Sequence, residues 1–241
     1  MAGWKISSGK TCWHIPCRGL GAIQRMKSIP ATLLPSLLLA AACGISTAGT
    51  PAMSPPPNVS QMLPGTSVFT AGRIELQSGT GAFWSFATDE SDGGSLDFFN
   101  TTYRLGIMLT DVKGEGWMRG NSELLIEGFY SSVFQGPGDW LAGSSLLMRY
   151  NFVPQDEKWI PYLQVGAGGL WNDVHKDRSQ SFLGQCFEFN FQASVGLRYQ
   201  FNERWGATVE GSYRYITNFG NAERDSGLNS AGAMVGLVRT F

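Results

Sequence analysis

The chain is poor in charge, histidine and long apolar runs. Only 15% of its 241 residues are Asp, Glu, Lys or Arg, and the formal net charge is -1. That near-balance removes any electrostatic reason to expect nucleic acid as a partner. Two histidines, His14 and His175, and four cysteines supply no metal-ligand cluster: Cys12 and Cys17 have no matching pair elsewhere. No phosphate-binding loop is present either, so neither metal nor cofactor is expected. Three cysteines (Cys12, Cys17, Cys43) fall near the start. If that leader is removed, Cys186 stands alone and no disulfide within the chain is possible. The apolar run Ala31 to Ala42 is too short for a spanning helix. The mean hydropathy of -0.08 is far below that of a helical membrane protein, but a strand alternating apolar and polar residues halves its apparent hydropathy, so a membrane barrel stays open.

Residues 1–52 read as a leader. Met26 looks like the more natural start, because Arg25 and Lys27 precede the apolar run and Ser46-Thr47-Ala48 follows it. A basic end, a short apolar core and a small-x-small site make a secretory signal peptide, with cleavage expected near Ala48 or Ala52. A rival reading takes Ala40-Ala41-Ala42-Cys43 as a lipoprotein site with Cys43 acylated. Residues 53–65 form a Pro/Ser-rich linker, and residues 66–241 form the folded domain.

In that domain a period of two recurs eight times. The sixth segment is the clearest. Phe187, Phe189, Phe191, Ala193, Val195, Leu197, Tyr199 and Phe201 share one face, and Glu188, Asn190, Gln192, Ser194, Arg198 and Gln200 the other. The first places Val68, Thr70, Gly72, Ile74 and Leu76 together. The second sets Tyr103, Leu105 and Ile107 against Arg104. The third sets Leu124, Ile126 and Tyr130 against Glu123 and Glu127, and the fourth Leu146, Met148 and Tyr150 against Arg149. The fifth runs over Trp159 to Trp171. The seventh, Trp205 to Asn218, carries Trp205, Ala207, Val209, Gly211, Tyr213, Tyr215 and Thr217 on one face. The eighth ends on Phe241, with Arg239 breaking its apolar face. Connections alternate in length: those after segments one, five and seven are long and polar, and those after two, four and six include the short Asn202-Glu203 turn.

This pattern predicts an all-β, eight-stranded antiparallel transmembrane β-barrel in the bacterial outer membrane, reached by signal-peptide export, with both ends of the barrel chain in the periplasm. The polar faces collect Arg73, Arg104, Arg149, Arg198 and Arg214 beside Glu75, Glu123, Glu127, Glu188 and Glu210. The lumen of such a barrel is just wide enough to fill with side chains, so paired charges are expected to plug it, which argues against a small porin. A soluble lipocalin-type barrel with the apolar face inside is the rival. Against it stand the terminal Phe241, Tyr and Trp near segment ends, and polar faces without lysine. In the first outer loop, Asp89-Glu90-Ser91-Asp92 reads as a solvated acidic stretch, or as a holder of the divalent cations that bridge lipopolysaccharide phosphates.

Tyr215-Ile216-Thr217-Asn218-Phe219-Gly220, followed by Gly227-Leu228-Asn229, resembles the lipid A 3-O-deacylase family, whose motif is His-x-Ser-Asn-x-Gly followed by Gly-Ile/Leu and then Glu or Asn. Tyr103-Arg104-Leu105-Gly106, Pro161 to Gly168 and Phe189-Asn190-Phe191-Gln192 fit as well, so the resemblance covers roughly Tyr103 to Phe241. It implies an outer-membrane barrel that hydrolyses the 3-position acyl ester of lipid A on its lipid-facing wall, with lipopolysaccharide and membrane lipids as partners. The family's catalytic positions would be Tyr215 (base), Thr217 (nucleophile), Asn218 (oxyanion) and Asn229 (orienting residue). The sequence departs where the chemistry is sharpest. A hydroxyl needs an adjacent base, and histidine suits neutral pH. A tyrosine, with a reference pKa near 10, holds its proton there. Activity is therefore expected to be reduced or lost, and the alternative is a non-catalytic barrel with a structural or lipopolysaccharide-binding role. His175, in the loop between segments five and six, is the other candidate base; an exposed loop histidine is the plainer reading.

Overall fold

Alternation dictates where each strand's two faces go, and closure of the sheet leaves them only an inside and an outside. In the computed structural model, which describes residues 67–86, 95–222, 224 and 226–241, the strands are β1 (Ile74–Phe86), β2 (Asp97–Met108), β3 (Gly120–Gln135), β4 (Trp140–Phe152), β5 (Trp159–Asn172), β6 (Phe187–Gln200), β7 (Trp205–Thr217) and β8 (Leu228–Thr240). Each pairs antiparallel with its sequence neighbour, and β1 closes onto β8, with Glu75 opposite Thr240 and Phe86 opposite Asn229. A closed sheet leaves no unpaired edge, the condition for strands to cross hydrocarbon. The expected leader, linker and acidic Asp89–Asp92 stretch lie outside the described residues. Cys186 is disulfide-bonded in the full chain, so it does not stand alone there.

The apolar set faces outward: Val209 is 61% exposed, while Glu123 and Arg149 are 0% and 1% exposed. That polarity excludes the lipocalin-type alternative. Inside, the barrel is filled in three layers. Val68, Phe69, Met108, Val153 and Ile160 plug the end that carries the start of β1 and the end of β8. The middle holds ion pairs. Arg104 meets Glu127 at 2.7 Å and Glu210 at 2.8 Å, and Arg198 meets Glu75 at 2.6 Å. Arg149 reaches Glu123 at 3.4 Å, and Arg214 reaches Glu127 at 3.6 Å. The far end is closed by Phe83, Phe98, Phe129 and Ile216 with the loop residues Leu96, Val174, Phe182 and Leu183.

Three expectations need correcting. The first strand begins at Ile74, because Gly72 sits at φ 83° and turns the chain. Val68 and Phe69 therefore belong to the plug, where Asn121 donates to the Phe69 carbonyl and Arg198 lies over the Phe69 ring. Arg73 stays at the rim, donating to the Phe241 carbonyl oxygen at 3.5 Å, and is not part of the interior network. Loop lengths also break alternation. The connection 109–119 is long and packs under β3–β4, with Arg119 donating to the Val153 and Pro154 carbonyls; 136–139 is short.

Candidate functional site at the end of β7

β7 sends Glu210, Ser212, Arg214 and Ile216 inward, and Val209, Gly211, Tyr213, Tyr215 and Thr217 outward. Its register sets Tyr215 directly across from Asn229 on β8 and Phe191 on β6, and Thr217 across from Phe189. Two of the four candidate residues, Tyr215 and Asn229, are thus cross-strand partners. Thr217 shares their face two residues on, and Asn218 leaves the strand.

The chain then reverses sharply. Phe219 (φ 56°) and Gly220 (φ 73°) both adopt left-handed backbone, a conformation that costs a bulky residue energy unless contacts hold it. Here the Phe219 N–H donates to the Thr217 hydroxyl at 3.1 Å. The Phe219 ring packs on Phe189 at 5.1 Å and Phe191 at 5.6 Å between centroids. The Thr217 side chain, outward by alternation, ends up 3% exposed, and Asn218 is 0% exposed. Tyr215 lies over Gly227, where an added Cβ would come within 2.7 Å of the ring; a ring of this size at 215 needs glycine at 227.

One member of this site was not legible as such. Tyr213 lies outside the Tyr215 to Gly220 motif, yet its hydroxyl donates to Asn229 Oδ1 at 2.5 Å, and its ring meets Phe86 at 6.3 Å. The signal was diagonal pairing: side chains offset by two across a ladder remain within reach when one is a long aromatic.

The loop after β7 is lashed to the loop after β5. Asn218 donates to the Arg224 carbonyl at 2.9 Å. The Arg224 guanidinium in turn donates to the carbonyls of Asp177 (2.7 Å), His175 (2.9 Å) and Gln180 (3.2 Å). His175 is joined to this strap by its backbone, and its Nδ1 lies 3.0 Å from the Asn172 carbonyl. Partial burial holds the imidazole below its ordinary pKa, with Lys176 and Arg224 acting in the same direction against the Asn172 hydrogen bond. Among the described residues no group of His, Cys, Asp or Glu is arranged to hold a metal ion.

Comparison with known proteins adds two findings. The family model described as Lipid A 3-O-deacylase (PagL) matches residues 101–238. Among solved structures, Neisserial surface protein A (NspA) is similar with a TM-score of 0.52 and 15% identity, over 70% of this chain and 97% of that chain. The outer membrane enzyme PagL follows at a TM-score of 0.44 and 17% identity, over 67% and 97%. OprG from Pseudomonas aeruginosa has a TM-score of 0.41 and 15% identity, over 71% and 97%. A search of curated proteins by sequence finds no match. The likeness to NspA speaks to the fold alone.

Proposed function

Because the chain belongs to the lipid A 3-O-deacylase family and sits in the bacterial outer membrane, we propose that it holds lipid A against the outer wall of β6, β7 and β8 without hydrolysing it. The observation that carries this reading is the cross-strand pair Tyr215–Asn229, standing where the family places a histidine base and its orienting residue. Ester hydrolysis needs a group that takes the nucleophile's proton as the bond forms. An amide cannot do so, and a phenol holds its own proton at neutral pH. Loss of one member of such a set lowers rates by about three to six powers of ten.

What the wall offers a lipid is a broad apolar surface with Tyr213, Tyr215 and Asn229 at its polar upper margin. Phenols are suited to that margin, with an apolar body and a hydrogen-bonding tip. In this reading they hydrogen-bond the sugar hydroxyls and amides of lipid A while the acyl chains lie along the strands below.

The test is mass spectrometry of lipid A incubated with the refolded protein, with Thr217→Ala and with an active family deacylase in parallel. The proposal expects unchanged lipid A from the first two and loss of one hydroxyacyl chain from the third. Chain loss with the unmodified protein that disappears in Thr217→Ala would make it an enzyme and overturn the reading. Native mass spectrometry of the protein in detergent with added lipid A tests holding: a bound lipid A is expected, weakened in Tyr213→Ala.

A further inference from the structure

One residue breaks the apolar alternation of the outer wall. Arg239 stands on the lipid-facing side of β8, in line with Val235 and Leu237 (58% and 53% exposed) and just before Phe241. Its register partners are Trp205 on β7 and Leu76 on β1, both apolar. A cation on this face is expensive at the bilayer centre and nearly free at its edge, and Arg239 lies in the last turn-facing step of the strand, at the periplasmic rim.

The surroundings are built around the cation. The Arg239 guanidinium lies 5.5 Å from the Trp205 ring centre and 4.8 Å from that of Phe241, so aromatic faces hold it on two sides. Rings satisfy its charge but not its five N–H donors. Among the described residues Arg239 makes no ion pair and no side-chain hydrogen bond, although it is only partly exposed.

We propose that Arg239, framed by Trp205 and Phe241, is a site for the phosphate group of a phospholipid in the periplasmic leaflet. The planar guanidinium fork matches phosphate oxygens two at a time. The lipid-facing position selects a headgroup whose acyl chains run up the wall over Leu237 and Val235. This site lies at the opposite end of the barrel from Tyr215 and does not depend on the reading given to β7.

The full-length protein, refolded in zwitterionic detergent, is titrated with phosphatidylglycerol and, separately, with inorganic phosphate, and bound lipid is counted by native mass spectrometry. Arg239→Gln is expected to weaken phosphatidylglycerol binding about fivefold, the share that one basic side chain contributes at a lipid surface. Arg178→Gln, an exposed arginine at the other end of the barrel, should leave it unchanged. Retained heat-modifiable gel mobility verifies that each variant is folded. Wild-type affinity in folded Arg239→Gln, or equal loss in Arg178→Gln, overturns the site. Displacement of the lipid by inorganic phosphate at equal concentration would make it a site for the free anion and overturn the lipid assignment.

Discussion

The two faces of β7 differ in how strictly each is tied down. On the inner face Glu210 accepts two N–H groups from Arg104 and the Tyr162 hydroxyl, and Arg214 lies over the Phe129 ring at 4.3 Å while donating to Gln192. On the outer face the same strand offers Val209, Gly211, Tyr213 and Tyr215, with a side-chain hydrogen bond from Tyr213 to Asn229. A charge in a dry lumen must keep its partner or the barrel is destabilised. A residue on the wall answers only to lipid, so a base can be replaced there without harm to the fold. The difference teaches why a barrel can change its chemistry and retain its architecture.

The contrast breaks most severely if the inner face is unpaired. Arg104→Leu removes the cation paired with Glu210 and the nearer of Glu127's two arginines, and should cost about 3–5 kcal/mol, read as a lower urea midpoint for unfolding from lipid vesicles. An unchanged midpoint would mean that the network adds little. The converse substitution, Val209→Arg, places a charge on the lipid face near mid-strand and should cost about 2–4 kcal/mol in the same assay. The same arginine introduced at exposed Arg178's neighbour Ser179 should cost almost nothing.

A smaller effect sharpens the picture at the outer loops. His175 has a folded-state pKa below its ordinary value because partial burial disfavours the cation. Its contribution to loop stability is therefore present above the ordinary histidine pKa near 6.5 and is lost as pH falls through the lower folded value. Proteolysis of the 173–186 loop should accelerate over that window in the wild-type protein and not in His175→Gln.

The fold was largely legible. β6 reads its inward and outward sets straight from the sequence, since one period governs both chain geometry and burial. The interior charges were legible too, because lumen-facing Arg and Glu in a narrow barrel have nothing to pair with except each other. The exceptions have local causes. Val68 continues the alternation on paper, but the left-handed Gly72 takes it out of the strand. Arg73 shares the parity of a polar face and sits one step outside the lumen. The four candidate positions rest on the resemblance to the family motif, and the register sets two of them, Tyr215 and Asn229, opposite each other. The left-handed reversal at Phe219 and the Arg224 strap were not legible, because they depend on a backbone reversal and on carbonyl acceptors, which leave no residue-type signature.

In the reading we propose, the backbone frame of a deacylase survives at the end of β7 with its base missing. The direct measurement is lipid A mass spectrometry with the double variant Tyr215→His/Thr217→Ser beside the unmodified protein. No release is expected from the unmodified protein, and loss of one 3-position hydroxyacyl chain is expected with the double variant. Release by the unmodified protein at the rate of the double variant would contradict that reading, since the chemistry would then be running on a base other than residue 215.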